Sequence, residues 1–147
     1  ASEEGIAAVE NMAGIDRVIN YQAIPACVFT FPEIATVGLS EAEIKAQGIA
    51  YRTGKFQFSA NGKAQAMGET EGMVKVLADP DDRIVGMHII GPHASDLIME
   101  GVMMIKNQLT VSDVVDAIHP HPTLSEAVAE AVKDIYGQSI HLLPSLR

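Results

Sequence analysis

The run "HPHPTLSE", residues 119–126, places two imidazoles, two hydroxyls and one carboxylate close together. Histidine is the side chain that gains and loses a proton near neutral pH, so this run could handle protons. A proline disfavours helical backbone in the residue before it, and both His119 and His121 precede a proline. Both are therefore expected to be extended, and in an extended segment residues two apart point the same way. The expectation is a pair of imidazoles on one side of a stiff loop. Stiffness suits the task, because an acid-base group must be held in place before it reacts. Glu126 is close enough in sequence to reach back to an imidazole, fix its tautomer and favour its charged form.

Other readings compete for the same residues. Thr123 and Glu126 have the spacing of a capping box, with Thr123 as the N-cap and Glu126 at the third helical position. Leu124, Ala127, Val128, Ala131 and Ile135 would then form the apolar stripe of the helix that follows. On spacing alone Glu126 is either a cap or an orienting carboxylate. Two histidines two residues apart could also bind zinc, but such a site needs a third or fourth ligand. His88, His93 and His141 are too scattered to supply a recognisable spacing. A nucleophile at Cys27 or Ser125 has no base and orienting group set beside it. Cys27 lies in the apolar run "PACVFTF" and reads as a small buried hydrophobe. As the lone cysteine it cannot form an internal disulfide, which fits a reducing compartment.

The elements that must position the loop follow from periodicity and punctuation. An opening helix with Ile6, Val9 and Met12 along one side should run to about Met12 and stop at Gly14. Strands are expected over 26–30 and 34–39, between Pro25 and Pro32 and beyond. Ser40 with Glu43 makes a capping box for a short helix that Gly48 ends. "YRTGKFQF" alternates like a strand, Asn61-Gly62 signals a turn, and "KAQAM" could add a short strand. "GMVKVLAD" and "RIVGMHIIG" form the best strand pair, joined by a hairpin through "PDD". Helices should follow over 94–107, 111–118 and 124–136. Strands followed by helices argue an α+β fold, an antiparallel sheet of about five strands with helices packed on one face.

The chain of 147 residues fits one domain with a real core. A net charge of −9, from 10 basic against 19 acidic residues, leaves no basic patch to grip phosphates. Nucleic acid and an anionic membrane surface are therefore poor partners. No apolar run approaches the ~20 residues needed to span a bilayer. On the wheel of the 94–107 helix, Leu97, Ile98, Gly101, Val102, Met104 and Ile105 fill the core face, while Asp96, Glu100 and Asn107 mark the polar side. Met99 and Met103 fall on or beside that polar side. They are either scattered exposed residues or a second face buried against another subunit.

The wording of these stretches carries a resemblance. "HPHPTLSEAVAEA" resembles the His-x-His-Pro-Thr-x-x-Glu signature near the C-terminus of dihydrolipoamide dehydrogenases. "FTFPEIATVGLSEAE", "GKFQFSANGKA" and "GMVKVL…RIVGMHIIGPHASDLI" are similar to other stretches of that family, in the same order. The resemblance implies the C-terminal interface domain of a homodimer, whose loop crosses to the other subunit's flavin and redox disulfide. It implies that His121 is the catalytic acid-base residue and Glu126 its orienting carboxylate. It gives His119 a supporting role and places Pro122 near the flavin of the other subunit. Related disulfide reductases such as glutathione reductase share the His-Pro-Thr and the acid. The paired histidines and the Leu-Ser-Glu wording favour the lipoamide enzyme.

The family also needs glycine-rich fingerprints for FAD and NAD and a Cys-x4-Cys pair, and this sequence holds none of them. The expectation is therefore a piece of the enzyme: residues 1–14 as the tail helix of an FAD domain, and residues 15–147 as the interface domain. Alone it should be inactive and bind neither FAD nor NAD, and no metal is expected. The whole enzyme would oxidise dihydrolipoamide with NAD+ in the bacterial cytoplasm or the mitochondrial matrix. It would serve lipoyl domains of 2-oxoacid dehydrogenase or glycine-cleavage complexes. A dimerisation module without chemistry and a small metal-binding protein are the rival expectations.

Overall fold

The computed structural model describes residues 1–142. The order is α1 (Ser2–Met12), β1 (Ala26–Val28), β2 (Glu33–Gly38), α2 (Glu41–Ala46), β3 (Arg52–Gln57), α3 (Gly62–Met67), β4 (Met73–Ala78), β5 (Ile84–Gly91), α4 (Ala94–Lys106), α5 (Val111–Val115) and α6 (Glu126–Asp134). The strands form one antiparallel sheet in the order β1-β2-β5-β4-β3. β4 and β5 are the expected hairpin, closed by Asp79 N–H donating to the Arg83 carbonyl at 3.0 Å.

Strand alternation puts the core on one face. Ala35 and Val37 of β2 sit beside Ile89 and Met87 of β5, which sit beside Val74 and Val76 of β4, which sit beside Phe56 and Gly54 of β3. The seven of these with side chains are all buried. Burying each large one contributes ~1.5–3 kcal/mol. The two longer helices of this layer, α4 and α6, cross that face, and each crosses at a glycine. A Cβ on Gly101 of α4 would lie 2.9 Å from Val37 Cγ1 and from Met87 Sδ. A Cβ on Gly54 of β3 would lie 1.9 Å from the Ala131 carbonyl oxygen of α6. The close approach of α6 to β3 fixes where the first turn of α6, and the loop before it, must sit.

The opposite face carries the alternate residues. At one end it is covered by α2, whose Glu41 pairs with Lys75. His88 Nε2 lies 3.0 Å from the Leu39 carbonyl oxygen just before that helix. The Ser40–Glu43 capping box that starts α2 is complete. At the other end Val28, Ile34 and Ile90 pair side by side across three strands and stay exposed.

Three elements differ from the sequence reading. "KAQAM" is helix α3, because Asn61 is an N-cap: its side chain accepts from Ala64 N–H at 2.9 Å. Gly68, at φ 75°, ends that helix in the left-handed conformation. α5 stops at Val115, short of 118, since the chain must leave helical backbone before Pro120. β1 ends at Val28, as Thr30 Oγ1 donates to the Pro32 carbonyl at 2.8 Å and turns the chain. The apolar side of α1, Ile6, Val9 and Met12, is exposed.

Candidate functional site

The loop between α5 and α6 carries the 119–126 run, and it bends at residues 121 and 122 rather than running extended. The expectation of two imidazoles on one side is therefore not met. His119 turns inward, its side chain 13% exposed, and its Nε2 lies 3.1 Å from Glu100 Oε2 on α4. His121 turns outward, 78% exposed, and its Nδ1 lies 2.8 Å from Glu126 Oε1 at the start of α6. Each histidine has its own carboxylate, on a different element. The rule that residues two apart share a side holds only while the backbone stays extended.

Glu126 does two jobs. Oε2 accepts the Thr123 backbone N–H at 2.8 Å while Oε1 holds His121. Only this half of the expected capping box forms. Thr123 Oγ1 donates to the Pro120 carbonyl at 2.7 Å and shares a hydrogen bond with Ser125 Oγ, so it does not cap the helix. α6 accordingly begins at Glu126, with Ser125 at the N-cap position and no side-chain cap. Burial pushes the Glu126 carboxyl up, but the Thr123 N–H and then the His121 ring outweigh it and hold its pKa below the ordinary value. Glu126 is thus an ionised acceptor, so the hydrogen between it and His121 sits on Nδ1. Nε2 of the neutral ring is left as a basic lone pair that faces outward.

Two further residues build the surroundings of the loop, and one of them, Asn61, holds it directly. Asn61 is buried, and its Nδ2 donates to the Thr123 carbonyl at 3.0 Å while its Oδ1 caps α3. Glu130, one turn into α6 and buried, accepts from Ser139 Oγ at 2.7 Å and from the backbone N–H of Ile140 and His141 at 2.9 Å each. Burial raises the Glu130 carboxyl, but these donors win and lower its pKa. It ties residues 139–141 along the cleft, of about 470 Å³, that both loop histidines line. For His119 the Glu100 carboxylate raises the pKa against the opposing effect of burial.

Sequence reading missed Glu100, Asn61 and Glu130. Asn61 had a usable signal, an N-capping residue before Gly-Lys-Ala-Gln-Ala-Met, but the Asn-Gly pair was read as a turn. Glu100 had none, since its partner lies on a separate element. Pro122 follows His121 through a cis peptide bond. Cys27 is half-buried on edge strand β1. Among the described residues no group of three or more His, Cys, Asp or Glu could hold a metal ion. No helix among them is long and apolar enough to cross a membrane.

Comparison with known proteins agrees with this architecture. Residues 24–132 match the model of the dimerisation domain of pyridine nucleotide-disulphide oxidoreductases. The chain is 43% identical over 143 residues to the mitochondrial dihydrolipoyl dehydrogenase 2 of Arabidopsis thaliana, covering 97% of this chain and 28% of that protein. It is 47% identical over 143 residues to the dihydrolipoyl dehydrogenase of Bacillus subtilis, covering 96% of this chain and 30% of that protein. The crystal structure of LpdA from Mycobacterium tuberculosis superposes with a TM-score of 0.86 at 28% identity, over 92% of this chain and 30% of that one. The chain thus spans under a third of the length of these relatives. With its five-stranded antiparallel sheet, its helices and this extent of matching sequence, the chain belongs to the dimerisation-domain family of the pyridine nucleotide-disulphide oxidoreductases.

Proposed function

We propose that this chain supplies the acid-base end of a dihydrolipoyl dehydrogenase, with His121 as the proton carrier and Glu126 as its orienting carboxylate. The observation that carries the reading is the pairing of His121 Nδ1 with Glu126 Oε1 at 2.8 Å on an imidazole whose other nitrogen faces outward. A dithiol reacts with a disulfide as its thiolate. His121 Nε2 takes the thiol proton, and Glu126 stabilises the imidazolium that results. Held by the Thr123 N–H, Glu126 cannot swing away as the ring changes charge.

The relatives' activity also calls for FAD, NAD and a redox disulfide, which supply the electron path when bound. No glycine-rich nucleotide fingerprint occurs here and the chain has one cysteine, so these residues do not fit those groups. They would be held by residues outside this sequence. The chain then works as one half of a homodimer, with its outward-facing His121 directed at the other subunit. Exposed Met99 and Met103 on α4 offer an adaptable apolar surface for such a contact. The exposed apolar side of α1 fits residues 1–14 as the last helix of a flavin domain, with residues 15–147 as the interface domain. The whole enzyme would oxidise dihydrolipoamide on lipoyl domains of 2-oxoacid dehydrogenase or glycine-cleavage complexes, in the bacterial cytoplasm or the mitochondrial matrix.

The test is made in the full-length enzyme that contains this chain. His121→Gln should lower kcat for lipoamide-dependent NADH formation by ~10²–10⁴-fold, with the dimer intact by sedimentation. A variant that keeps more than half of the kcat would refute the assignment.

A further inference from the structure

The loop that carries His121 is anchored unevenly. On its C-terminal side Thr123 alone is held through its N–H by Glu126 and through its carbonyl by Asn61. On its N-terminal side Ile118 projects into solvent and contributes no anchor. There the bond from His119 Nε2 to Glu100 Oε2 is the side-chain tie to another element, 3.1 Å long and 13% exposed on the histidine, beside the bond within the loop from Thr123 Oγ1 to the Pro120 carbonyl. His119 Nδ1 is buried and makes no hydrogen bond. The Ala117 backbone also lies close enough to favour the ring's charged form, so Glu100 is the well-formed side-chain partner of a largely enclosed ring, and losing it is costly.

We infer that His119 and Glu100 form a positioning pair that clamps the near side of the loop to α4 and so fixes where His121 is presented. The inference rests on reading His121 as the acid-base residue. Neither residue of the pair touches a reacting atom. They act through the one intervening residue, Pro120, between His119 and His121, and through a helix that the loop does not otherwise bond to by side chains among the described residues. A loop anchored at one end would pivot about Thr123, and a misplacement of about 1 Å at a catalytic group can cost on the order of 10²-fold in rate.

Charge belongs to the clamp's working range. Glu100 on α4 faces His119 and, with the Ala117 backbone, favours its imidazolium, while burial and Lys133 on α6 oppose it. Glu126, Glu130, His121 and His141 line the same cleft. The clamp is therefore strongest when His119 is protonated and loosens as alkali removes that proton.

The decisive variant is Glu100→Gln, which keeps a hydrogen-bond acceptor and removes the charge. In this chain, nitrogen NMR of the His119 ring should show its midpoint falling, and the amide signals of His121 and Thr123 should lose the titration they share with it. Glu100→Asp should restore part of that shared titration. In the full-length enzyme Glu100→Gln should lower kcat ~10-fold to ~100-fold with KM within about twofold. The alkaline limb of its pH profile should move to lower pH. His119→Asn, made separately and in the double variant, should cost no more together with Glu100→Gln than the worse single change. Unchanged loop titration and unchanged kcat in Glu100→Gln would overturn the clamp, as would fully additive losses in the double variant. The clamp and the functional reading fail separately. If His121→Gln were fully active while the loop still titrated with His119, the functional reading would fall and the clamp would stand.

Discussion

One loop holds two histidine–glutamate pairs, and they are built in opposite ways. His119 with Glu100 is inward on the histidine side, 13% exposed there and 31% on the carboxylate, and joins residues 19 apart on two elements. His121 with Glu126 is outward on the histidine side, joined over five residues, with its carboxylate locked by a backbone N–H. An inward histidine has its geometry enforced by packing but little access to a substrate. An exposed pair has access, and it keeps its geometry only if something else holds the carboxylate. Glu126 meets that need because the same side chain stands at a helix start, where unpaired N–H groups and the helix dipole favour a negative charge. Pairing chemistry alone therefore does not mark the acid-base residue. In the proposed reading, what singles out His121 is its exposed ring with one nitrogen left free by Glu126.

The sharpest way to break this contrast is to swap the consequences. His121→Gln should abolish most turnover while leaving stability within ~0.5 kcal/mol, as expected for an exposed side chain, by denaturant unfolding of the chain. A loss of more than about 2 kcal/mol would make His121 a structural residue instead. Next in size, Asn61→Ala should destabilise the chain by ~1–3 kcal/mol, since it removes a helix cap and strands the Thr123 carbonyl. Thermal unfolding checks this, and a neutral result would detach Asn61 from the loop. Glu126→Gln should give a mixed result, with ~1 kcal/mol of stability lost with the charged acceptor and a fall in kcat smaller than that of His121→Gln.

The smallest effect separates the pairs by pH. The His119 pKa is raised in the fold, so its contribution to stability is full below the ordinary histidine value and is lost as pH rises through the raised value. The Glu126 and Glu130 pKa values are lowered, so their contributions are present above the ordinary glutamate value and are lost as pH falls through the lowered ones. Acid should thus loosen residues 139–141 and the His121 side of the loop, and alkali the His119 side. Amide hydrogen exchange across the pH range would show the two sides opening at opposite ends. Opening together at one end would contradict the assignment of separate anchors.

What could be read from sequence follows the range of the interaction. The Ser40–Glu43 box, the β4–β5 hairpin and the reach of Glu126 back to His121 are all encoded within a few residues, and all three were legible. The face of α4 was legible too, because 3.6-residue periodicity is local, and Ile98, Val102, Met104 and Ile105 are buried as the wheel requires. The inward turn of His119 was not, since it is set by a carboxylate on another helix and by bends that the two prolines do not announce. Asn61 failed for a different reason. Asn-Gly is ambiguous between a turn and a helix start, and only the contact of Asn61 with Thr123, 62 residues away, shows why it is buried. That α2 covers part of the face opposite α4 and α6 likewise depends on long-range contacts, Ile44 fully buried and Glu41 paired with Lys75 of β4, that no local pattern encodes.

If the parent protein is the dihydrolipoyl dehydrogenase we propose, the most direct measurement splits its cycle in two by stopped flow. One half is reduction by dihydrolipoamide, which needs a proton taken from a thiol. The other is reduction by NADH, which on this reading does not need His121. With His121→Gln the first rate should fall by ~10²-fold or more and the second should stay within about twofold. Equal losses in both halves, or none in the first, would contradict the account.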